Sequence, residues 1–228
     1  IDGKQNATSG GIIAEAVGTI NIDSCINKGE IKTDKNAGPN SPAGGIIADF
    51  VRYVDNNNSI RFEDEILNVI NCTNEGNIQA GNHFGGIAGC IDANSIYIDN
   101  CKCLTCTLEE TNQADKAGII GNARANRMVA TNCIVDNINL FTSEEVENGG
   151  RTYGKTGGII GGLDVKDVSV NNCKVSNSTI ETLCNNAGGI IGGDVYNDYD
   201  KLVIENCLVE KCDITNNNKV QGSCYYSA

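Results

Sequence analysis

Gly157-Gly-Ile-Ile160, followed shortly by Val165-Lys-Asp-Val-Ser-Val-Asn-Asn-Cys-Lys174, decides how the whole chain is read. In the second segment Val168 and Val170 fall on one side, and Cys173 joins them after a turn. Short alternation of this kind, rich in valine and isoleucine, marks a half-buried strand and not a helix. The phrase recurs. Gly-Gly-Ile-Ile stands at Gly10 to Ile13, Gly44 to Ile47 and Gly188 to Ile191, with shorter forms at Gly85-Gly86-Ile87 and Gly118-Ile119-Ile120. Each copy runs to a cysteine: Cys25, Cys72, Cys101, Cys133, Cys173 and Cys207. Six copies in 228 residues leave little that is not repeat, and a tandem repeat of this period is a solenoid.

From the second glycine of one copy to that of the next, the spacings are 34, 41, 32, 40 and 31. The short spacings are the bare unit and the long ones carry insertions. From glycine to cysteine the distance is 15 in three copies, 14 in the first, 18 in the last and 27 in the second. The excess in the second copy falls at Arg52 to Glu65, charged and rich in asparagine, as a surface loop permits. Further irregular stretches lie at Phe141 to Lys155 and Asp194 to Asp200. A third short strand is expected to close each copy, at Glu30-Ile31, Asn77-Ile78, Ile138 to Leu140, Thr179-Ile180 and Asp213-Ile214. Three short strands per copy make one coil of a parallel β-helix. Such a coil needs about 22 residues, the remainder being loops on one edge. The whole chain, 1–228, then forms a single all-β solenoid domain, with loop insertions near 52–65 and 141–155.

The turns have their own chemistry. Asn71, Asn100, Asn132, Asn172 and Asn206 each stand directly before a repeat cysteine, where the first copy has Ser24. Asparagine tolerates the left-handed backbone region, and stacked amides can bond one another up a ladder of coils. The glycine pair is expected at a bend where a side chain would collide with the adjacent coil. Both features are read as structural.

Charge and composition exclude whole classes of function. Seventeen basic against 29 acidic residues give a net charge of −12, which argues against nucleic acid and against anionic membrane surfaces. No apolar run is long enough to span a bilayer as a helix. No signal peptide is visible, and the opening Ile1-Asp-Gly-Lys-Gln-Asn-Ala-Thr reads as a mature or excised segment. Aromatics make up only 5%, which suits a narrow cylinder filled with Ile, Val, Leu, Ala and Cys. The two prolines, Pro39 and Pro42, both fall between copies one and two, where no ladder is harmed.

Twelve cysteines allow two readings of the six-membered ladder: buried thiols acting as small hydrophobes, or inter-coil disulfides in an oxidising compartment. The others are Cys90, Cys103, Cys106, Cys184, Cys212 and Cys224. Cys101, Cys103 and Cys106 form the densest cluster, but a single C-x-x-C without a second at ligand spacing is a poor zinc signature, and His83, the only histidine, is distant in sequence. Glycosylation sequons occur at Asn6, Asn57, Asn71 and Asn177. Asn71 belongs to the ladder, which leaves Asn6, Asn57 and Asn177 as candidates in a secreted protein.

Gly-Gly-Ile-Ile-Gly, an apolar stretch and then Asn-Cys-x-x-x-Gly-x-Ile resembles the GLUG-motif repeats of bacterial surface proteins, which include large adhesins and the non-catalytic parts of IgA-cleaving metallopeptidases. Cys25-Ile-Asn-Lys-Gly-Glu-Ile31 and Asn71-Cys-Thr-Asn-Glu-Gly-Asn-Ile78 carry the likeness best. After Cys133, Cys173 and Cys207 a valine stands two residues on and the glycine is gone. The resemblance implies a right-handed parallel β-helix displayed outside the cell. The H-E-x-x-H zinc signature is absent, so no proteolytic role is implied.

Some parallel β-helices are polysaccharide lyases and hydrolases that align carboxylates on consecutive coils. The candidates here are Asp164, Lys166 and Asp167 in one copy and Asp194, Asp198 and Asp200 in the next, with Asp164 and Asp194 at comparable positions, able to bind calcium or share a proton. The alternative is a solvated acidic loop, and His83 reads as a turn residue. The expectation is therefore a non-catalytic protein with no cofactor and no metal, at the cell surface or extracellular. It would act as an adhesin-like binding or scaffold module towards a protein or glycan on another surface. The alternative is a structural element stacking end to end with copies of itself into filaments.

Overall fold

The computed structural model of the protein describes residues 8–33, 41–50, 65–110, 114–142, 154–183, 186–194 and 200–217. Among them there is no helix, and all strand pairings are parallel. The chain is a four-sided parallel β-solenoid of six coils. Four strands make up a coil, not three. In coil four they are Lys116–Ala117, Ile120–Thr131, Ile134–Asp136 and Asn139–Thr142. Each contributes a rung to one of four sheets, here called the glycine, long, third and fourth sheets, and every sheet has a rung from all six coils.

The closing strands expected from the sequence are those of the fourth sheet. The additional strand is the glycine segment, which pairs coil to coil instead of only bending. Phe84 of coil three lies in register with Lys116 of coil four, so one bare coil takes 32 residues. The ten or so beyond the expected 22 are ladder, mainly a 12-residue long strand such as Ala88–Asp99.

In-register parallel pairing stacks like on like, and this builds the core. Leu67, Ile96, Met128, Val168 and Leu202 form one column, and Val69, Ile98, Ala130, Val170 and Ile204 the next. In the inner coils these side chains are sealed from solvent. Within the long strand the alternation slips once: Ala93 and Ile96 are both buried, as are Ala125 with Met128 and Val165 with Val168. The strand bends there. At that bend coils one, two and six interrupt their long strands, into Ile13–Ala16 with Thr19–Asp23, Ile47–Phe50 with Ile66–Ile70 and Ile191–Asp194 with Lys201–Glu205.

The second glycine of each copy explains itself by space. A Cβ on Gly86 would stand 2.1 Å from the Gly118 carbonyl of the next coil and 2.4 Å from Cys103 Sγ across the cylinder. Gly45 meets Gly86 O and the Asn74 side chain in the same way, and Gly118 meets Gly158 O and Val135. The collision with the adjacent coil is as the sequence suggested. The first glycine is less strict, since coil four carries Ala117 in its place, fully buried.

Two kinds of corner join the third and fourth sheets. In coils one and two, Asn27 and Asn74 turn their amides inward and each bonds both backbone groups of the glycine two residues on. Asn74 Nδ2 donates to Gly76 O at 2.9 Å, and its Oδ1 accepts from Gly76 N–H at 3.3 Å. Asn27 does the same with Gly29, and its Nδ2 also donates to Asn74 Oδ1 at 2.7 Å. In coils three to six this position is Cys103, Val135, Val175 and Val209. The corner there is one residue longer: Ile78 follows Asn74 by four positions, while its rung-mate Leu108 follows Cys103 by five. The longer corner turns on a left-handed residue, Thr105, Asn137, Asn177 or Lys211, with φ of 50–53°. That is the physical content of the lost glycine.

Candidate functional site

Apart from the single extra residue of the longer corner, variation in coil length is absorbed at two places, the bend of the long strand and the connection from the fourth sheet to the glycine sheet. The inserts themselves lie outside the described residues; at the ends of the irregular stretch read from the sequence, Phe141 and Thr142 belong to the strand Asn139–Thr142 and Lys155 to the strand Lys155–Gly157. Glu65 is likewise framework, its carbonyl accepting from the N–H groups of Asn94 and Ser95 at 3.0 and 3.1 Å. Between the two variable edges runs the outer face of the first half of the long sheet. About four residues separate the edges, roughly 13 Å at 3.3 Å per residue. This strip is the candidate site.

Its first column stands four residues after each second glycine: Glu15, Asp49, Cys90, Asn122, Gly162 and Gly193. Two residues on, Asp92, Arg124 and Asp164 form a second. Arg124 Nε donates to Asp164 Oδ2 at 3.0 Å, and its Nη1 lies 3.6 Å from Asp92 Oδ2. The connection preceding coil four folds over this face. Asp115, only 4% exposed, accepts from Asn122 Nδ2 and, at 2.8 Å, from the Lys155 backbone N–H. Its own N–H donates to His83 Nδ1 at 3.2 Å. Gly162 is bare because a Cβ would meet the Asp115 carboxylate.

Burial, with Glu15 and Asp92 nearby, raises the Asp49 carboxyl to about 6. Burial also pushes the Cys90 thiol up to about 12, helped by Asp49, which is the reverse of what a nucleophile needs. Burial lowers His83 against the opposing pull of Asp115. With Nδ1 occupied as an acceptor, His83 is held as a structural link between coils three and four. It stands just before the strand Phe84–Gly85.

Asp164 and Asp194, read from the sequence as a candidate pair for catalysis or calcium, are not partners in register. Asp194 pairs in register with Leu163, and Asp164 pairs with Arg124. Counting from the second glycine makes this plain: an offset of six selects Asp92, Arg124 and Asp164, whereas Asp194 stands at five. Asp167 lies beside Lys201, and Asp200 donates its N–H to Lys166 O at 3.0 Å. Asp198 lies outside the described residues. The strip's own residues went unread because each is an isolated polar residue until register stacks it on its neighbours.

The asparagine ladder occupies the corner between the long and third sheets. Asn71, Asn100, Asn132, Asn172 and Asn206 have φ of 49–56°, and Ser24 has 58°. Asn100 Nδ2 donates to Asn71 Oδ1 at 2.8 Å and Asn172 Nδ2 to Asn132 Oδ1 at 3.5 Å. Asn71, Asn132 and Asn206 donate to Asp23, Asp99 and Asn171 instead. Behind them the thiols of Cys25, Cys72, Cys101, Cys133, Cys173 and Cys207 each donate to the carbonyl two residues back, at 3.2–3.5 Å. Cys101 thereby leaves the supposed zinc cluster, and among the described residues no group of three His, Cys, Asp or Glu is placed to hold a metal. Asn177 is exposed, with its amide donating to Asp136 Oδ1 at 2.8 Å. Asn6 and Asn57 lie outside the described residues.

No family model matches the chain, and neither a curated protein nor a solved structure is found to be similar to it.

Proposed function

We propose that this solenoid is a non-catalytic scaffold acting outside the cell, where it presents its inserted segments along one lateral strip to a protein or glycan on another surface. One observation carries the reading: length varies by more than one residue only at the two edges that flank the strip, while the strands between keep their backbone bonds from coil to coil. Rigid framework with variable edges is the arrangement of a display scaffold. The likeness to GLUG-type surface repeats and the acidic charge agree with an extracellular setting and a partner other than nucleic acid.

The test replaces 51–65 with the three-residue link of coil three, Asp92-Ala93-Asn94, and measures binding to arrayed glycans and immobilised extracellular-matrix proteins. The expected outcome is binding by the full chain that falls at least tenfold in the shortened one at unchanged thermal stability. Equal binding by both would move recognition away from the inserts.

A second reading has its own support. Ile12 on coil one, and Leu202, Ile204, Val209 and Ile214 on coil six, are 39–46% exposed, although their counterparts in inner coils are buried. Such surfaces fit another coil of the same kind, and end-to-end association is the alternative function. Light scattering across a concentration series reads it: growth that Ile204→Lys abolishes supports assembly.

A further inference from the structure

The six ladder cysteines and the pair Cys103 and Cys106 occupy two different chemical settings. The ladder thiols have carbonyl acceptors. Besides the bond two residues back, Cys101 reaches Val69 O at 3.4 Å, and Cys173 and Cys207 reach Ala130 O and Val170 O at 3.7 Å. Each ladder thiol therefore has a carbonyl oxygen to donate to, from Cys72 onward as a second bond beside a backbone N–H. Neighbouring ladder sulfurs also lie within reach of one another, but a disulfide sulfur, having no hydrogen, would give up that carbonyl bond.

Cys103 and Cys106 differ. Both are buried, their sulfurs are 3.2 Å apart, and among the described residues each sulfur is partnered by the other and by the amide of Asn74, at 4.0 and 3.9 Å. A donor amide offers nothing to a thiol proton; it suits a sulfur that only accepts. The pair is also confined. Gly86 packs on Cys103 from across the cylinder, leaving no room for the sulfur to retreat. The position is set by the change of corner: Cys103 is the first residue after Asn27 and Asn74 in its column, and Cys106 belongs to the lengthened corner that turns on Thr105.

We propose that Cys103 and Cys106 are the disulfide-forming pair of this protein and that the six ladder cysteines remain thiols. The reaction is exchange with a low-molecular-weight disulfide such as oxidised glutathione. The Cys103 thiol gives up its proton, and its sulfur attacks the small disulfide and expels one small thiolate. The Cys106 sulfur, also deprotonated, then attacks the mixed disulfide and expels the second. One sulfur–sulfur bond is broken, one is formed, and the two protons leave with the two small thiols; the protein loses two electrons and the reagent gains them. Because both side chains are buried in the finished coil, exchange takes place while the chain folds. The bond would fasten coil three where one corner type gives way to the other, whatever the strip binds.

The test is to refold the full chain with oxidised glutathione or with reductant, unfold it, alkylate and digest with trypsin. Cleavage after Lys102 and Lys116 isolates both residues in one peptide, Cys103 to Lys116, away from every ladder cysteine. The expected result after oxidative refolding is that this peptide is two mass units lighter and unalkylated, while the ladder peptides carry full alkylation. Full alkylation of Cys103 and Cys106, or a cross-link from either to Cys101, overturns the pairing. Disulfides between ladder peptides overturn the second half. Cys106→Ala supplies an independent reading: the wild-type chain gains a few degrees in Tm on oxidation and the variant gains none, and an equal gain in both refutes the assignment.

Discussion

Coils one and two and coils three to six solve the same corner by different means. In the first pair a side chain stands in for backbone: the Asn27 and Asn74 amides occupy both polar groups of a glycine, so the corner is short and the cylinder is polar inside at that point. In the last four, one extra residue closes the turn through a left-handed backbone, and the interior column becomes Cys103, Val135, Val175 and Val209. The first column of the outer strip changes over the same boundary, from acidic Glu15 and Asp49 to neutral Cys90, Asn122, Gly162 and Gly193. A solenoid column can change its chemistry from one coil to the next, provided that the rung spacing is kept.

What both regions share is the second glycine, and altering it has the largest expected effect. Gly45→Ala and Gly86→Ala each drive a Cβ into a neighbouring carbonyl and into the side chain opposite, asparagine in one case and cysteine in the other. Each is expected to cost about 3 kcal/mol or more, read as a fall in the urea midpoint. A smaller loss at Gly86 than at Gly45 would show that the later coils are the more yielding.

Next comes the asparagine corner. Asn74→Val installs the residue that coils four to six use, but the short corner then leaves Gly76 N–H, Gly76 O and the Asn27 amide without their partner. A loss of about 2 kcal/mol is expected in the same denaturation assay. Replacing 74–77 with the longer corner 135–139 is expected to recover part of it, and no recovery would mean that the two corners are not interchangeable solutions.

The outer column gives a pH-dependent contrast. The Asp49 carboxyl is raised by burial, with Glu15 and Asp92 adding to it, so the folded chain holds this proton more tightly than the unfolded one. Its effect on stability is favourable at low pH and is lost as pH rises from about 4 through 6. Asp49→Asn should therefore stabilise by on the order of 1 kcal/mol at pH 7, and by nothing at pH 4, in thermal melts at the two pH values. The smallest effect lies in the long corners. Thr105 is a β-branched residue at φ 51° where coils four and five carry Asn137 and Asn177. Thr105→Asn is expected to stabilise by about 0.5–1 kcal/mol and Asn137→Thr to cost the same, which calorimetry can resolve.

The solenoid and most of its inward-facing residues were legible in the sequence because they rest on local rules repeated six times. Val168, Val170 and Cys173 are buried as their alternation demands, and the asparagines before each cysteine hold a positive φ. The glycine strand was not legible, because two or three residues are too few to carry an alternation, and their pairing is made only by the coils on either side. The candidate site was scarcely legible at all. Asp115 acts on Asn122 within its own coil and on the Lys155 backbone forty residues away, while Arg124 finds Asp164 only because offset six recurs in adjacent coils.

Sequence by itself determined the repeat, the burial of Val168 and Val170, and the left-handed asparagine before the repeat cysteine, since each depends on a residue's own backbone and its near neighbours. Tertiary structure alone decided the number of strands per coil, the two corner types, the partners of Arg124 and Asp115, and the separation of Cys103 and Cys106 from the ladder. Those depend on register between coils, where a shift of one residue changes every neighbour a side chain meets.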